Sequence, residues 1–288
     1  MAEINDYLRS LELFRDYPVG EKRFVYQFVK QPEIAEIMKP FRIEEVAGSG
    51  DTFSKARKVM QWVANQTQYD GASPLGLVMP EKIIEFGIKE KQPINCLNRA
   101  MLFCDALYSI GIFAFPVWLG GCPYIEKEKR FDDNGHSHVI AQVWLTEQEC
   151  WATFDPSFNI YFVTYRGRFF KRKAYPVNIG EMARNITTIG KIVAKDNRTG
   201  RWTQNGFGCT QIGLIRIAVF PGNDLAYRKS YESFDKQLTI VPQSYVEALK
   251  ASETDLQGWK VKLIDAAKIT FNDLEGVPAW SEGGNNCD

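Results

Sequence analysis

Three residues of this sequence have side chains that can act together in nucleophilic chemistry: Cys96, His138 and Asp155. The thiolate of a cysteine is a nucleophile, and an imidazole can take the proton of the thiol. A carboxylate that accepts a hydrogen bond from the second ring nitrogen fixes the orientation and tautomer of the imidazole. The chain has only two histidines, His136 and His138, so the choice of a base falls on one short segment.

Cys96 lies where a proline-bearing loop meets a predicted helix. Asn95 is a residue type preferred at the N-cap, so Cys96 opens the first turn. Apolar residues then recur at three- and four-residue spacing until Gly111, a residue type that often ends helices. The positive end of the helix macrodipole favours the thiolate. Most free cysteines are buried small side chains, and position alone leaves this interpretation of Cys96 open.

His138 and Asp155 are placed on two consecutive predicted strands. Side chains on a strand alternate between faces, so His136 and His138 share one side. Asp155 ends the next apolar run, and Pro156 keeps it extended. Adjacent antiparallel strands would bring His138 and Asp155 side by side. Asp-Pro is also an ordinary turn signal, so a structural interpretation of Asp155 stays open.

The elements that must position these residues are predicted to be helices first and strands afterwards. Helical spacing covers Phe53 to Ala64 behind a cap at Asp51, Glu81 to Phe86, and the Cys96 helix; strand-like runs cover Ile112 to Leu119, His138 to Leu145, Cys150 to Asp155 and Asn159 to Tyr165. Short polar breaks favour antiparallel neighbours, and Pro116 indicates an edge or a bulge. The order predicts an α+β fold with the Cys96 helix packed on an antiparallel sheet and a β-rich extension over residues 166–288.

The composition argues against several classes of function. The 288 residues contain 35 Lys and Arg and 35 Asp and Glu, so no net charge attracts nucleic acid or an anionic membrane. No segment resembles a signal peptide or a membrane span. The 6 cysteines lie far apart, unlike a secreted disulfide framework. We therefore expect a cytoplasmic protein that forms a single domain over residues 1–288.

Taken in order, these motifs resemble the transglutaminase-like branch of the papain-like cysteine enzymes, over about Thr52 to Phe162. The matching stretches are Gln68-Tyr69-Asp70, Asn95-Cys96 with its helix, Gly111 to Val117, His138 to Trp144 and Cys150 to Pro156. The resemblance implies a papain/transglutaminase-like catalytic core over residues 52–165. One departure concerns Ile94, because the family often has Gly at that position. Nothing after about Tyr165 matches.

The resemblance implies covalent acyl transfer by Cys96, His138 and Asp155, without a cofactor. The Cys96 N–H and a second donor would hold the oxyanion; Gln92 and Asn95 are candidates for that donor, and His136 is a candidate substrate contact. The partners would be an acyl donor and an amine acceptor. We expect amide formation from an activated, thioester-like donor, with hydrolysis by a peptidase or amidase as the alternative.

Two further interpretations belong to other classes. His136 and His138, with Cys150 or Cys122, offer nitrogen and sulfur ligands for zinc, although Cys-x-x-Cys pairs are missing. The fold could also be a binding module without turnover. The basic run Arg166 to Lys173 is either a docking surface for an acidic carrier or a solvated hairpin edge.

Overall fold

The computed structural model describes residues 9–10, 12–18, 25–73, 77–132, 136–167, 173–185, 191–205, 216–219, 238–252, 267–268 and 277–280. The described residues combine helices with a mostly antiparallel sheet; most helices precede the sheet along the chain, and two lie between its later strands. The predicted α+β class is confirmed. None of the helices in these ranges has the length and apolar character needed to span a bilayer.

The helices are short except for two. They are α1 (Pro32–Met38), α2 (Ile43–Ala47), α3 (Thr52–Gln66), α4 (Pro80–Ile83), α5 (Cys96–Tyr108), α6 (Ile179–Asn185) and α7 (Gln243–Ala251). A 3-10 turn, Lys39–Phe41, follows α1, and a π-helical segment, Ile84–Lys89, continues α4. The long helices α3 and α5 coincide with the two strongest periodic patterns of the sequence.

The described strands are β1 (Val25–Phe28), β2 (Ala114–Gly121), β3 (Tyr124–Ile125), β4 (Arg130–Phe131), β5 (His136–Leu145), β6 (Cys150–Asp155), β7 (Ile160–Arg166), β8 (Lys173–Pro176), β9 (Ile192–Asp196), β10 (Arg216–Val219), β11 (Leu238–Ile240), β12 (Ala267–Lys268) and β13 (Val277–Trp280). Nine of them form one sheet in the order β12-β11-β10-β2-β5-β6-β7-β8, and β9 also pairs with β7. The strands predicted between Ile112 and Tyr165 are therefore antiparallel neighbours, as expected.

Two apolar cores lie on opposite faces of this sheet, as the alternation of strand side chains requires. Val139, Ala141 and Val143 of β5 pack with the buried side chains of α3 and α5. Ile140 of β5 packs on the other side with residues of β1, α6 and α7. Helix α5 is buried at every residue from Leu97 to Tyr108, so its position on the sheet is fixed by packing along its whole length.

One local expectation is wrong, and another is extended by the structure. Pro116 does not mark an edge, because β2 pairs with β5 on one side and β10 on the other; the described β10 pairing runs only from Val117 to Gly120. The helix predicted over Phe53 to Ala64 is α3, which ends at Gln66, and residues 68–70 then pair with Ile94. Partners more than 20 residues away decide both outcomes.

The strands beyond residue 165 belong to the same sheet as the predicted core, since β8 and β9 pair with β7 and β10 pairs with β2. The division into a core over 52–165 and an extension over 166–288 stays a prediction. Much of the predicted basic run, residues 168–172, lies outside the described residues.

The N-terminus of α3 provides a test of local stability. Asp51 accepts a hydrogen bond from the Ser54 N–H at 2.8 Å, so Asp51→Ala should lower the free energy of unfolding by about 1 kcal/mol. Hydrogen bonds with Ser54 lower the pKa of Asp51 below its ordinary value of 3.8. A carboxylate with a lowered pKa stabilises the fold above its unfolded pKa and loses this effect as the pH falls.

Denaturant unfolding between pH 2 and 7 measures this effect. Asp51→Asn is the matched control, because the amide keeps the cap without the charge. Equal stability of wild type and Asp51→Ala at pH 7 would contradict the assignment of the cap.

Candidate active site

The candidate nucleophile is held at the start of α5 by its neighbour Asn95. The Asn95 Oδ1 accepts the Asn98 N–H at 3.0 Å, which is the N-cap predicted from the sequence. The Asn95 Nδ2 donates to the Ser73 carbonyl at 3.1 Å and ties the cap to a distant loop. Cys96 is a free, partly exposed cysteine at the first helical position. A thiol at this position is accessible to reagents and lies at the positive end of the helix.

Ile94, where the family often has Gly, is turned into the protein. Its side chain is fully buried, and its backbone exchanges hydrogen bonds with Gln68 and Asp70 at 2.9 and 3.1 Å. A Cβ added to Gly87 would lie 3.0 Å from the Ile94 Cγ2, so the absence of a side chain at Gly87 makes room for Ile94. The bulk of Ile94 therefore occupies the core below the loop rather than the space above Cys96.

His138 and Asp155 meet across β5 and β6. Ala141 pairs with Phe154, so His138 and Asp155 lie near the same end of these two neighbouring strands. The His138 Nε2 lies 2.8 Å from the Asp155 Oδ2, and both side chains are buried. Asp155 Oδ1 accepts the Ser157 N–H at 3.0 Å. Both carboxylate oxygens are thus engaged, which restricts rotation of the Asp155 side chain.

The surroundings of His138 favour its charged form. Burial lowers the pKa of the imidazole, but the charge and hydrogen bond of Asp155 and the hydrogen bond with Cys96 outweigh it. The net result is a pKa of His138 well above its ordinary value of 6.5. Because Nε2 is engaged with Asp155, we infer that Nδ1 faces the thiol. The structure brings Cys96, His138 and Asp155 into one connected arrangement.

Of the other predicted site residues, Gln92 and Asn95 have described side chains. Gln92 is exposed, and the amide of Asn95 is engaged in the cap and the Ser73 tether. His136 begins β5, but its side chain lies outside the described residues. Among the described side chains, no group of three His, Cys, Asp or Glu is arranged to hold a metal ion. The second oxyanion donor stays a prediction.

Two aromatic residues and one cation near the site were missed by the sequence reasoning. The Phe158 ring lies 5.7 Å from the His138 ring, and the Tyr69 ring lies 5.3 Å from the Phe158 ring. The Arg99 guanidinium lies 5.6 Å from the Tyr69 ring. A signal for Arg99 was present, since a charged residue follows Cys96 by one helical turn within an otherwise apolar stripe.

Comparison with known proteins agrees with this geometry. The model of the transglutaminase-like superfamily matches residues 41–156, a segment that contains Cys96, His138 and Asp155. Because this is a superfamily of cysteine enzymes, the match supports catalysis through a cysteine in general. The predicted resemblance over Thr52 to Phe162 is confirmed.

The comparisons with curated proteins and with solved structures add little to this match. No curated protein matches the sequence. A crystal structure of a proposed cysteine protease from Cytophaga hutchinsonii is similar, with 13% sequence identity and a TM-score of 0.32. That similarity covers 56% of this chain and 48% of the other, so this chain matches about half of that protein.

Gly87→Ala tests how the Ile94 packing supports the nucleophile. Helix propensity alone predicts stabilisation by up to about 1 kcal/mol, so the sign of the change is informative. Because Ile94 is pinned by its backbone bonds, we expect destabilisation by about 1 to 3 kcal/mol and slower alkylation of Cys96. Denaturant unfolding and peptide-resolved iodoacetamide labelling measure the two effects.

Ile94→Ala and the double variant complete a mutant cycle. The added Cβ of Gly87→Ala would fill part of the space left by Ile94→Ala, so the double variant should be less destabilised than the sum of the single variants. A Gly87→Ala protein that is more stable than wild type would show that Ile94 is free to move.

Proposed function

We propose that this protein is a cysteine-dependent acyltransferase that forms an amide from an activated, thioester-like acyl donor and an amine, through an acyl-thioester on Cys96. The observation that supports it most is the buried His138–Asp155 hydrogen bond of 2.8 Å, with the Cys96 thiol hydrogen-bonded to the same imidazole. This is the nucleophile, base and orienting group that thiol acyl chemistry needs.

The first half of the reaction transfers the acyl group to the enzyme. His138 takes the proton of the Cys96 thiol, and the thiolate forms a bond to the carbonyl carbon of the donor. The electron pair of the carbonyl moves to oxygen, and the Cys96 N–H donates a hydrogen bond to that oxyanion. When the carbonyl reforms, the bond to the leaving thiolate breaks and the thiolate takes the proton from His138.

In the second half, an amine attacks the thioester and His138 takes a proton from the amine. The Cys96 sulfur then leaves and recovers the proton. With water in place of the amine the same steps are hydrolysis, so access to the imidazole decides the outcome. His138 is only 2% exposed and Phe158 packs against its ring. His138 thus has little contact with bulk solvent, and in this proposal the acceptor is an amine bound beside the imidazole.

The setting of the reaction is also part of the proposal. Cys96 and Cys150 carry free thiols, which supports a reducing compartment such as the cytoplasm. The partners in this proposal are the acyl donor and the amine; nucleic acid and membranes have no role in it, and neither has a cofactor.

The acyl-enzyme provides the direct test. A small acetyl thioester, such as S-acetyl-N-acetylcysteamine, should add one acetyl group to the wild-type protein at Cys96, seen by intact and peptide mass spectrometry. Cys96→Ala should lose this adduct and essentially all turnover, and Cys96→Ser should lose at least about 10³-fold because a serine hydroxyl is a weaker nucleophile. Cys104→Ala is the matched control, because Cys104 is a buried cysteine on the same helix, α5.

The products formed from the acetyl-enzyme distinguish amide formation from hydrolysis. In the presence of an alkylamine, the ratio of amide to acetic acid should rise with amine concentration while the rate of acylation stays constant. If acetic acid is the only product at high amine concentration, the enzyme is a hydrolase. Full activity in both Cys96 variants would refute the mechanism.

Asp155→Asn tests the orienting carboxylate. The amide oxygen can still accept from the imidazole, so we expect a loss in kcat/KM of about 10- to 100-fold, and at least about 10³-fold for Asp155→Ala. Removal of the negative charge lowers the pKa of His138, so the alkaline limb of the activity profile should move to lower pH. A pH profile of the acylation rate measures both effects.

The His138–Asp155 pair also makes the stability of the fold depend on pH. His138 has a raised pKa, so its contribution to the free energy of unfolding is fully present below its unfolded pKa of 6.5 and is lost as the pH rises through the folded value. The gap in stability between wild type and Asp155→Asn should therefore narrow at alkaline pH. An unshifted alkaline limb in a folded Asp155→Asn protein would contradict this role.

A further inference from the structure

Arg99 holds three segments of the site together. It lies one turn after Cys96 on α5 and is 6% exposed. Its guanidinium donates to the carbonyls of Ser157 at 2.9 Å and Pro156 at 3.4 Å, in the turn that follows Asp155. It also donates to the Thr67 carbonyl at 2.6 Å, just after the end of α3. The nucleophile helix is thereby tied to the turn that carries the orienting carboxylate.

The hydrogen-bonding partners of Arg99 are neutral. All of them are backbone carbonyls, its Nε has no hydrogen-bond partner among the described residues, and no described carboxylate forms an ion pair with it. Burial lowers the pKa of Arg99 to about 10, while Tyr69 and Asp155 act in the opposite direction. The side chain is therefore a buried cation at neutral pH. Buried charges are costly unless other charges compensate them.

The charges of the candidate site supply that compensation. With a Cys96 thiolate, a His138 imidazolium and an Asp155 carboxylate, the three groups sum to one negative charge. Arg99 brings the sum to zero. We propose that Arg99 is a positioning residue that stabilises the Cys96 thiolate by balancing this charge and that fixes the turn after Asp155 against the nucleophile helix. The proposal deepens the function given above and rests on its ionised Cys96–His138 pair.

The expected direction of the effect follows from the groups that face Arg99. The titratable groups that act on it are Tyr69, from the segment after α3, and Asp155, from β6; Asp155 in turn acts on His138, which contacts Cys96. Removal of a positive charge disfavours the loss of each proton from the Cys96–His138 pair. Both limbs of a pH profile should therefore move to higher pH.

The experiment measures the reactivity of Cys96 without any acyl substrate. Iodoacetamide labelling of Cys96, followed by peptide mass spectrometry from pH 4 to 10, gives the midpoint of thiolate formation in each variant. Arg99→Met and Arg99→Gln should raise this midpoint by about 0.5 to 1 pH unit. Arg99→Lys keeps the cation without the planar fork, so its midpoint should stay within about 0.2 units of wild type while acyl transfer slows.

Arg57→Met is the matched control. Arg57 is also a partly buried arginine that bonds a loop, with its Nε 2.9 Å from the Asn197 Oδ1 and its guanidinium 4.7 Å from the Tyr161 ring. Its loss should lower stability by a similar amount and leave the midpoint of Cys96 unchanged. A midpoint shift in Arg57→Met equal to that in Arg99→Met would show a general effect of destabilisation and overturn the proposal.

The remaining outcomes each decide the question. If Arg99→Met or Arg99→Gln folds and Cys96 keeps the wild-type midpoint of thiolate formation, the role of Arg99 is only structural and the proposal is overturned. If neither neutral variant folds, a displaced midpoint in Arg99→Lys would overturn the proposal, and an unchanged one would support it. A shifted midpoint in an enzyme that forms no acyl-enzyme would refute the proposed reaction but not the role of Arg99.

Discussion

The structure depends above all on one buried contact between charged groups, the His138–Asp155 hydrogen bond. Removal of each ion from water costs several kcal/mol, and their attraction offsets this only when the geometry is good and the remaining polar atoms are bonded. The 2.8 Å contact and the bond from the Ser157 N–H to the second oxygen of Asp155 meet that condition. The register of β5 and β6 and the turn after Asp155 must be held to keep it.

The nucleophile is brought to this contact by a different kind of constraint. Asn95 fixes where α5 begins, which is a local effect of one side chain on the first turn. The direction of the helix is set by its apolar packing on the sheet, and the loop before it is set by Ile94 against Gly87. The charged pair His138–Asp155 thus lies on the strands, whereas the position of α5 comes from apolar packing. Arg99 joins the two, since it belongs to the helix and bonds the turn of the strands.

The sequence predicted what depends on local chemistry and failed where distant segments decide. The start of α5, the strands from His138 to Tyr165 and the choice of His138 over other residue types followed from cap preference, alternation and the scarcity of histidine. Pro116 was assigned to an edge because nothing near it in sequence shows that β10, about 100 residues later, pairs with the same strand. Arg99 was missed because a cation in a helix is usually solvated, and its burial depends on the turn at Ser157.

The strands that follow the superfamily segment bear on why the chain continues beyond it. Within residues 114–166, the outer strands of the main sheet are β2 and β7, and each would present an unpaired edge. The described structure covers both, because β10 pairs with β2 while β8 and β9 pair with β7. An exposed edge can pair with other chains, and a slip or twist in β2 would reach β5 directly. The later strands therefore protect the register on which the His138–Asp155 contact rests, even though they supply none of its atoms.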